Sequence, residues 1–414
     1  MSSRQAFSFG HRLRRLAQIN ASENSTQINK METMIAEKKV QKIKLKTNYR
    51  KMPADSFTPV SVYRNIRDRF PKSILLESSD YHSSENSYSF ICFDPLIKFE
   101  VNNNSVAVDG NIVDSYSSQV SNGGEIKKHF NNLIASLHTE DLSFAFPYNG
   151  FFGYMSYDSV KYTESIPVKK NSETEIPDML YYLYRYVLVI HHFKCEAILF
   201  EHLSDNESSR LNEIVQIINS NKNAQYGFSV TGEEYAFTTE TEFLQNVQTA
   251  IHHCKKGNVF QLVLSRRFKA SFTGDEFNVY RALRSVNPSP YLFYFDAGDF
   301  KLIGSSPEAQ LVIKNRKAEI YPIAGTFLRT GDDEKDSESA IRLKNDPKEN
   351  AEHVMLGDLA RNDLSCNGYG VNVEKFREVQ FFSHVIHLVS KVSGTIKEEA
   401  SSLELYEDCR EIIN

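Results

Sequence analysis

The sequence lacks the features that mark several large classes of protein. Its 414 residues contain no apolar run of about 20, the length that a helix needs to span a bilayer. Its five cysteines are scattered without CxxC spacing, which disfavours structural zinc and favours reduced thiols in a cytoplasmic protein. No internal repeat or low-complexity segment is present. These absences argue against a membrane protein, a disulfide scaffold and a repeat architecture.

Neither sign of charge is in large excess. The net charge of −5 disfavours a nucleic acid or an anionic membrane as a partner, since both attract strongly basic surfaces. The hydrophobic fraction of 41% is enough for a sizeable core, in one large domain or two ordinary ones. This composition fits a protein that acts on a small molecule better than one that binds nucleic acid or a membrane.

The first 22 residues contain four arginines and several serines but no acidic residue. This composition is typical of an organellar transit peptide, but it also fits a disordered tail or a later start at Met31 or Met34. In each case we expect residues 1–39 to lie outside the fold.

The first half of the chain, residues 40–220, is predicted to be rich in strands. A solvent-facing strand begins near Val40, and Thr58 and Pro59 cap a short helix. The apolar residues 74–76 form a strand that ends in Glu77 and Ser78. The run YYLYRYVLVIHHF is too apolar for a strand with one wet face, so we expect burial on both faces. A helix over residues 206–220 leads towards the second half.

The second half, residues 236–414, opens with a helix that Thr239 and Glu242 cap. Its apolar stripe comprises Phe243, Val247, Ala250, Ile251 and Cys254. The next segment, VFQLVLSRRF, alternates as a strand would and places Gln261 on an apolar face. A glutamine in that position must form a hydrogen bond.

A second capped helix carries two closely spaced carboxylates. Asp346 and Pro347 begin it, and we expect it to end near Arg361. Glu349 and Glu352 lie one turn apart on the same face, at the edge of an apolar stripe. A partly buried carboxylate needs a cation or a hydrogen-bond donor.

The same face should continue into Leu356 and Leu359, which we expect to be buried. An alternative role for Glu349 is structural, because a glutamate at the third helical position can simply close the capping box.

Three further segments carry polar groups: Glu308 in GSSPE, Gly325 and Thr326 in PIAGT, and His387 in the strand SHVIHLVSKV. His387 should point the same way as Val385 and Val389. Each of these residues alone is compatible with a purely structural role.

Together these segments resemble the chorismate-binding enzymes, and among them the large (component I) subunits of anthranilate synthase. The resemblance extends from Lys46 to Gly394 and includes LLES, FQLVLSRRF, NPSPYLF, GSSPE, PIAGT, DPKENAEHVMLGDLARNDL and HVIHLVSKV. It implies an α+β fold in which two antiparallel β-sheets pack around a core with helices outside. It also implies an active site in a cleft between the sheets.

Two positions separate the branches of this family. Members that add water carry lysine at the position of Gln261, whereas members that use ammonia carry glutamine. Aminodeoxychorismate synthases usually have a nucleophilic lysine where this sequence has Ala324. Both residues favour the anthranilate branch.

The resemblance also implies roles for individual residues. Glu308 would be the general acid that protonates the leaving hydroxyl, and His387 would assist the elimination of pyruvate. Glu349 and Glu352 would help to hold Mg²⁺. Gly325 would allow close approach of the substrate, and Thr326 would offer it a hydroxyl.

A regulatory site for L-tryptophan is implied as well. Glu77 and Ser78 would bind the amino-acid ammonium, and the proline-rich segment would form a wall for the indole ring; that segment comprises Asn287, Pro288, Ser289, Pro290, Tyr291 and Leu292. The structural alternative is a strand end and a proline turn.

The sequence departs from the family after Leu405, because the family's later FPAGT-like, GAPK and TAIRT-like motifs are missing. We therefore expect a fold that is incomplete at the C-terminus and a chain whose turnover is impaired. The other expected partners are chorismate and a separate glutamine amidotransferase subunit that delivers ammonia. Two alternatives remain: aminodeoxychorismate synthase component I, and a non-catalytic remnant that binds tryptophan or a partner.

Overall fold

The computed structural model describes residues 42–78, 87–164, 176–205, 207–220, 225–259 and 261–398. The predicted tail over residues 1–39 lies outside them. Within the described residues the strands are β1 (Ile43–Pro53), β2 (Ile74–Glu77), β3 (Tyr88–Asn102), β4 (Ser105–Gly110), β5 (Tyr116–Gln119), β6 (Leu137–Thr139), β7 (Phe151–Met155), β8 (Met179–His191), β9 (Glu196–Leu203), β10 (Phe228–Ala236), β11 (Phe268–Gly274), β12 (Tyr291–Asp296), β13 (Lys301–Ser306), β14 (Val312–Lys314), β15 (Lys317–Ile320), β16 (Ile323–Leu328), β17 (Gly368–Phe381) and β18 (Val385–Ile396).

The α-helices in the same residues are α1 (Pro59–Ile66), α2 (Gly123–Ser136), α3 (Leu211–Ile218), α4 (Glu240–Lys255), α5 (Phe277–Val286), α6 (Asp333–Asn345) and α7 (Pro347–Asn367). A short 3₁₀ helix covers Tyr157–Tyr162. No helix in the described part of the chain is long and apolar enough to cross a membrane.

The strands form a large sheet, a small sheet and a two-stranded ribbon. The large sheet has eleven strands along the path β13-β12-β2-β3-β8-β9-β1-β6, with β4, β5 and β7 attached to its sides. The small sheet has five strands, β14-β15-β18-β16 with β17 beside β18, and β10 pairs with β11 in the ribbon. Every pair is antiparallel except β1 with β6. The predicted α+β class is therefore confirmed.

The long strands β3 and β8 form the centre of the large sheet, and β8 is buried along nearly its whole length. One face, with Phe93 and Tyr186, packs under α1, α3 and α5. The opposite face, with Tyr184 and Val187, packs against aromatic residues such as Phe146. This burial on both faces agrees with the prediction for the apolar run in β8.

Local signals in the first half agree with the structure. Thr58 caps α1 by accepting a hydrogen bond from the Ser61 backbone, and Val62, Tyr63 and Ile66 are fully buried. The predicted helix near residues 206–220 forms as α3, which is shorter because it begins at Leu211.

Strands from both predicted halves meet in the large sheet. β12 pairs with β2, and Leu292 lies directly opposite Glu77. β13 then extends the same sheet beyond β12. The predicted halves, residues 40–220 and 236–414, thus share one sheet, and their boundary stays a prediction.

Helices α6 and α7 cover one face of the small sheet. Ile386 and Leu388 of β18 pack against Leu343 of α6, and Val392 packs against Leu364 of α7. Because successive side chains on a strand point to opposite faces, His387 points away from these helices. The strand predicted for SHVIHLVSKV is present as β18, in the expected orientation.

Two predictions for the second half are wrong. The segment 261–267 is not a strand, since regular structure begins only at Phe268 in β11. Its alternating pattern finds no neighbouring strand in the described residues, and a strand needs such a partner for its backbone groups. The buried face of α7 is also different: it contains His353, Gly357, Ala360 and Leu364, whereas Leu356 and Leu359 are only half-buried.

Helix α4 forms with Thr239 as its N-cap, as predicted. However, no residue of α4 is buried, and Ile251 of the expected apolar stripe is 41% exposed. Periodicity correctly indicated the helix, but it could not indicate whether another element of the described chain covers the stripe.

Candidate active site

A β-bulge in β16 is the centre of the candidate site. Ala324 lies opposite Leu388 and Thr326 lies opposite His387, so Gly325 is the extra residue in the strand. Gly325 has φ of +80°, and a Cβ added there would approach Leu343 and Leu388 side-chain atoms at 3.3 and 3.4 Å. The backbone angle and the lack of space both explain why glycine occupies this position.

The bulge orients His387. Nδ1 of His387 lies 3.1 Å from the Gly325 carbonyl oxygen and 3.1 Å from the Thr326 hydroxyl oxygen. Because a carbonyl oxygen can only accept, Nδ1 must carry the proton, which leaves Nε2 as a proton acceptor in the neutral ring. Burial lowers the pKa of His387, although the Gly325 carbonyl opposes this shift. The neutral imidazole is therefore favoured.

Glu349 contacts the same bulge from the first turn of α7. Asp346 caps this helix by accepting from the Lys348 and Glu349 backbones, as predicted. The reciprocal capping-box bond does not form, because the Asp346 amide donates to the Leu343 carbonyl instead. The Glu349 carboxylate accepts from the Thr326 amide at 3.3 Å and from the Lys348 ammonium at 3.0 Å. Glu349 therefore has a role beyond helix capping.

Glu352 lies one turn further along α7 and is half-buried. Its Oε1 accepts a hydrogen bond from Gln261 Nε2 at 3.3 Å. The requirement that Gln261 form a hydrogen bond is confirmed, although its segment is irregular. This contact connects residues 261–267 to the helix that carries both glutamates.

Glu308 follows β13 and lies near the start of β16. Burial raises the pKa of the Glu308 carboxyl to about 7, and a backbone contact from Ile323 partly opposes this shift. A carboxyl with this pKa is substantially protonated at neutral pH, which is the state that a general acid requires.

The donor chemistry at Glu349 and Glu352 suits Mg²⁺, which often binds through one or two carboxylates and completes its shell with water and substrate oxygens. Among the described residues, no three His, Cys, Asp or Glu side chains are grouped to hold a metal ion. The two glutamates can therefore supply part of a magnesium site, but a complete protein cage is not present in these residues.

The predicted tryptophan-site motifs also lie together. Glu77, at the end of β2, is 5% exposed and lies opposite Leu292 of β12. Its carboxylate accepts from the Tyr280 hydroxyl and from Arg284 Nε, at 3.0 and 3.2 Å for the latter. Both partners lie on one face of α5, four residues apart. The Glu77 charge is thus already paired.

The rest of the proline-rich segment connects α5 to β12. Asn287 ends α5, and its carbonyl oxygen accepts from the Ser305 hydroxyl at 2.6 Å. Ser289 is buried and Tyr291 is 46% exposed. Ser78, Pro288 and Pro290 are half-buried. The segment therefore lies next to β2 in the large sheet, and its role in binding an indole ring stays a prediction.

Sequence reasoning missed three residues that organise these sites. Tyr280 and Arg284 neutralise Glu77 from a helix about 200 residues away in the chain, so local patterns carry no signal for the contact. His353 is completely buried behind the bulge. The sequence did contain a signal for His353, because a polar residue on the inner face of a helix requires a hydrogen-bond partner.

The sequence is similar to proteins of a known family. The sequence profile of the chorismate binding enzyme family matches residues 72–409. Anthranilate synthase component 1 from Mycolicibacterium smegmatis is 32% identical over 384 residues, which cover 87% of this chain and 72% of the relative. The corresponding protein from Thermus thermophilus is 34% identical over 359 residues, covering 85% and 75%.

Solved structures give the same result. The fold is similar to anthranilate synthase component I from Streptococcus pneumoniae, with a TM-score of 0.63, 26% identity and coverage of 87% of this chain and 79% of that one. The menaquinone-specific isochorismate synthase from Escherichia coli has a similar fold, with a TM-score of 0.58, 14% identity and coverage of 93% and 78%. The resemblance inferred from the motifs is confirmed: this chain belongs to the chorismate-binding enzyme family.

Proposed function

We propose that the chain is an anthranilate synthase large subunit, a lyase that converts chorismate and ammonia to anthranilate and pyruvate. The observation that carries this proposal is the convergence of Glu308, Thr326, His387 and Glu349 on strand β16. Relatives named anthranilate synthase component 1 support the choice of reaction.

In the first step, ammonia adds to the ring of chorismate and the ring hydroxyl leaves as water. Hydroxide is a poor leaving group, so a proton must reach the departing oxygen. Glu308 supplies it, since burial keeps this carboxyl largely protonated below pH 7.

In the second step, pyruvate is eliminated and the ring becomes aromatic, which requires loss of a ring proton. Nε2 of His387 is the acceptor, because Nδ1 already donates to the Gly325 carbonyl. The Thr326 oxygen accepts from the same Nδ1 proton, so its own hydroxyl hydrogen is available to a substrate oxygen.

Glu349 and Glu352 are the proposed magnesium ligands. Bound Mg²⁺ would supply positive charge that offsets the two carboxylates of the substrate. Because the described residues offer no third ligand in the group, we expect tight magnesium binding only when substrate oxygens are also present.

Two residues select the nucleophile. Gln261 donates to Glu352 and has no basic group with which to activate water. Ala324 is 6% exposed and has no atom that could attack the ring. Free ammonia is therefore the proposed nucleophile, delivered in the cytoplasm by a separate glutamine amidotransferase subunit. L-Tryptophan would act as an inhibitor at the Glu77 site.

The test is an assay of the purified chain with chorismate, ammonium and Mg²⁺, with products separated by chromatography. We expect anthranilate and pyruvate in equal amounts. Glutamine should replace ammonium only after an amidotransferase subunit is added. Turnover that yields aminodeoxychorismate, or none at any magnesium concentration, would contradict the proposal.

Charge-neutralising variants test the magnesium ligands. We expect Glu349→Gln and Glu352→Gln to raise the KM for Mg²⁺ by roughly tenfold or more, because each removes an anionic ligand. Asp358→Asn is the matched control, since Asp358 is an exposed carboxylate of the same helix that pairs with Arg361. An equal effect in all three variants would refute the assignment.

A further inference from the structure

His353 occupies the junction between the elements that carry the proposed site. It follows Glu352 on α7, is 0% exposed, and lies on the helix face that packs against the small sheet. Its Nε2 is 2.6 Å from the hydroxyl oxygen of Ser390 on β18. Ser390 is three residues beyond His387, so this contact connects the glutamate helix to the histidine strand.

The hydrogen bonds around Ser390 favour one orientation of protons. Its oxygen accepts from the Arg377 amide at 3.0 Å, which leaves the hydroxyl hydrogen free to donate to Nε2 of His353. The ring proton is then on Nδ1. Nδ1 is buried and forms no well-aligned hydrogen bond in the described residues. Burial lowers the pKa of His353, and the Ala324 carbonyl partly opposes this shift.

A buried histidine often serves only to satisfy its neighbours. Two observations indicate more for His353. The imidazole joins α7, which carries Glu349 and Glu352, to β18, which carries His387. Strand β18 in turn pairs with β16, so that His387 lies opposite Thr326 at the Gly325 bulge, and the Thr326 amide donates to Glu349 of α7.

We propose that His353 is a positioning residue for the chorismate-binding site. Its hydrogen bond to Ser390 fixes α7 against β18, so that Glu349 and Glu352 keep their positions relative to His387. The expected kinetic effects of this inference rest on the proposed function. The expected effect on the contact between α7 and the small sheet does not depend on it.

The kinetic test compares three variants. His353→Leu fills the space without polar atoms, and we expect the KM for Mg²⁺ to rise roughly tenfold or more, the range for loss of a group that orients a metal ligand. His353→Gln keeps an amide that can reach Ser390 and should return the KM to within about threefold of wild type. Leu364→Ala is the control, because Leu364 is buried on the same helix face about three turns away. It should lower stability without a change in KM.

A second measurement needs no activity. The Thr326 amide donates to Glu349, so its hydrogen exchange reports the contact between the bulge and α7. We expect exchange to accelerate roughly tenfold in His353→Leu and to remain unchanged in Leu364→Ala at matched global stability. If His353→Leu does not fold, Ser390→Ala removes the same hydrogen bond and should accelerate this exchange by a smaller factor.

The two hypotheses fail in different ways. Absence of anthranilate from the wild-type chain contradicts the proposed function and leaves the exchange experiment to decide on His353. The positioning role is refuted if His353→Leu and Leu364→Ala have equal effects on Thr326 exchange, or if His353→Gln gives no rescue of KM.

Discussion

The carboxylate at the tryptophan-site motif and those at the proposed active site are held differently. Glu77 is 5% exposed, lies within the large sheet and is neutralised by Tyr280 and Arg284. Glu349 and Glu352 lie at the rim of the small sheet, and their protein partners are an exposed lysine, a backbone amide and a glutamine amide. Glu77 is therefore neutralised within the sheet, whereas the only cationic side chain paired with the two glutamates among the described residues is the exposed Lys348.

The difference follows from the packing of the two sheets. The large sheet is covered on both faces around β3 and β8, so its geometry is determined by buried side chains. The small sheet is covered by α6 and α7 on one face, and its site residues are oriented by a bulge and a few hydrogen bonds. We therefore expect substitutions in the large sheet to reduce stability and substitutions around β16 to reduce turnover.

The largest effect should come from the core of the large sheet. Phe93 is fully buried and stacks on Tyr186 with ring centroids 5.0 Å apart. Phe93→Ala should lower the free energy of unfolding by about 3–5 kcal/mol, because it leaves a cavity in a closed core. Urea denaturation measures this change. Phe193→Ala is the matched control, since Phe193 is 65% exposed and its loss should change stability by less than about 1 kcal/mol. Equal losses would contradict the comparison.

Glu308→Gln should have the largest effect on turnover. Loss of a general acid typically reduces kcat by about 10²-fold or more, or about 2.7 kcal/mol. In the wild type, kcat/KM should fall as pH rises through about 7, because the free protein is reactive only while this carboxyl is protonated. A rate profile that is flat from pH 6 to 8, or a variant with normal kcat, would exclude this role.

The same substitution should change the pH dependence of stability. The folded pKa of Glu308 is raised from 4.5 to about 7, so its contribution is fully present below pH 4.5 and is lost as pH rises to 7. Above pH 7 the folded protein must hold an ionised carboxylate in a buried position, at a cost on the order of 3 kcal/mol. Relative to wild type, Glu308→Gln should therefore be more stable at pH 8 than at pH 4.5, as thermal unfolding at the two pH values would measure.

Gly325→Ala tests the bulge, and we expect its effect on stability to be intermediate among these predictions. The positive φ alone should cost about 1 kcal/mol, and the crowding by Leu343 and Leu388 adds to it. Gly331→Ala is a close control, since Gly331 also has φ of +80° but nothing lies within 4 Å of an added Cβ. We expect a larger stability loss and a clear loss of kcat only for Gly325→Ala. Identical behaviour of the two variants would show that crowding at the bulge is unimportant.

The sequence was sufficient for predictions that depend on neighbouring residues. Capping at Thr58, Thr239 and Asp346 and the full burial of β8 follow from local pattern and composition. The strand predicted at 261–267 was wrong because a strand requires a partner, and pairing is a property of the whole fold.

The candidate site shows the same difference between what neighbouring residues determine and what the whole fold determines. Motifs identified Glu308, Thr326, His387 and the two glutamates, but they gave no tautomer for His387 and no partner for Glu349. Those depend on a bulge that brings residues 325 and 387 together. Sequence patterns also placed the buried face of α7 incorrectly, since His353 rather than a leucine occupies its centre.

The smallest predicted effect concerns communication between the two regions. Nε2 of His384, just before β18, donates to the carbonyl of Val286 at 2.6 Å, and Val286 precedes the proline-rich segment of the predicted tryptophan site. The backbone of His384 also accepts from Arg329 after β16. His384 therefore contacts the segments that adjoin the two predicted sites. Coupling between sites is a free energy, and a single contact can carry part of it.

We expect His384→Ala to weaken inhibition by tryptophan by a few-fold, on the order of 1 kcal/mol or less, with kcat unchanged in its absence. His253→Ala, on the exposed helix α4, is the control and should leave inhibition unaltered. The measurement is the inhibition constant for tryptophan at fixed chorismate and Mg²⁺. An unchanged inhibition constant in His384→Ala would mean that the large and small sheets respond to their ligands independently. Weaker inhibition with a normal kcat would mean that the hydrogen bond of His384 couples the tryptophan-site motif in the large sheet to the proposed active site on the small sheet.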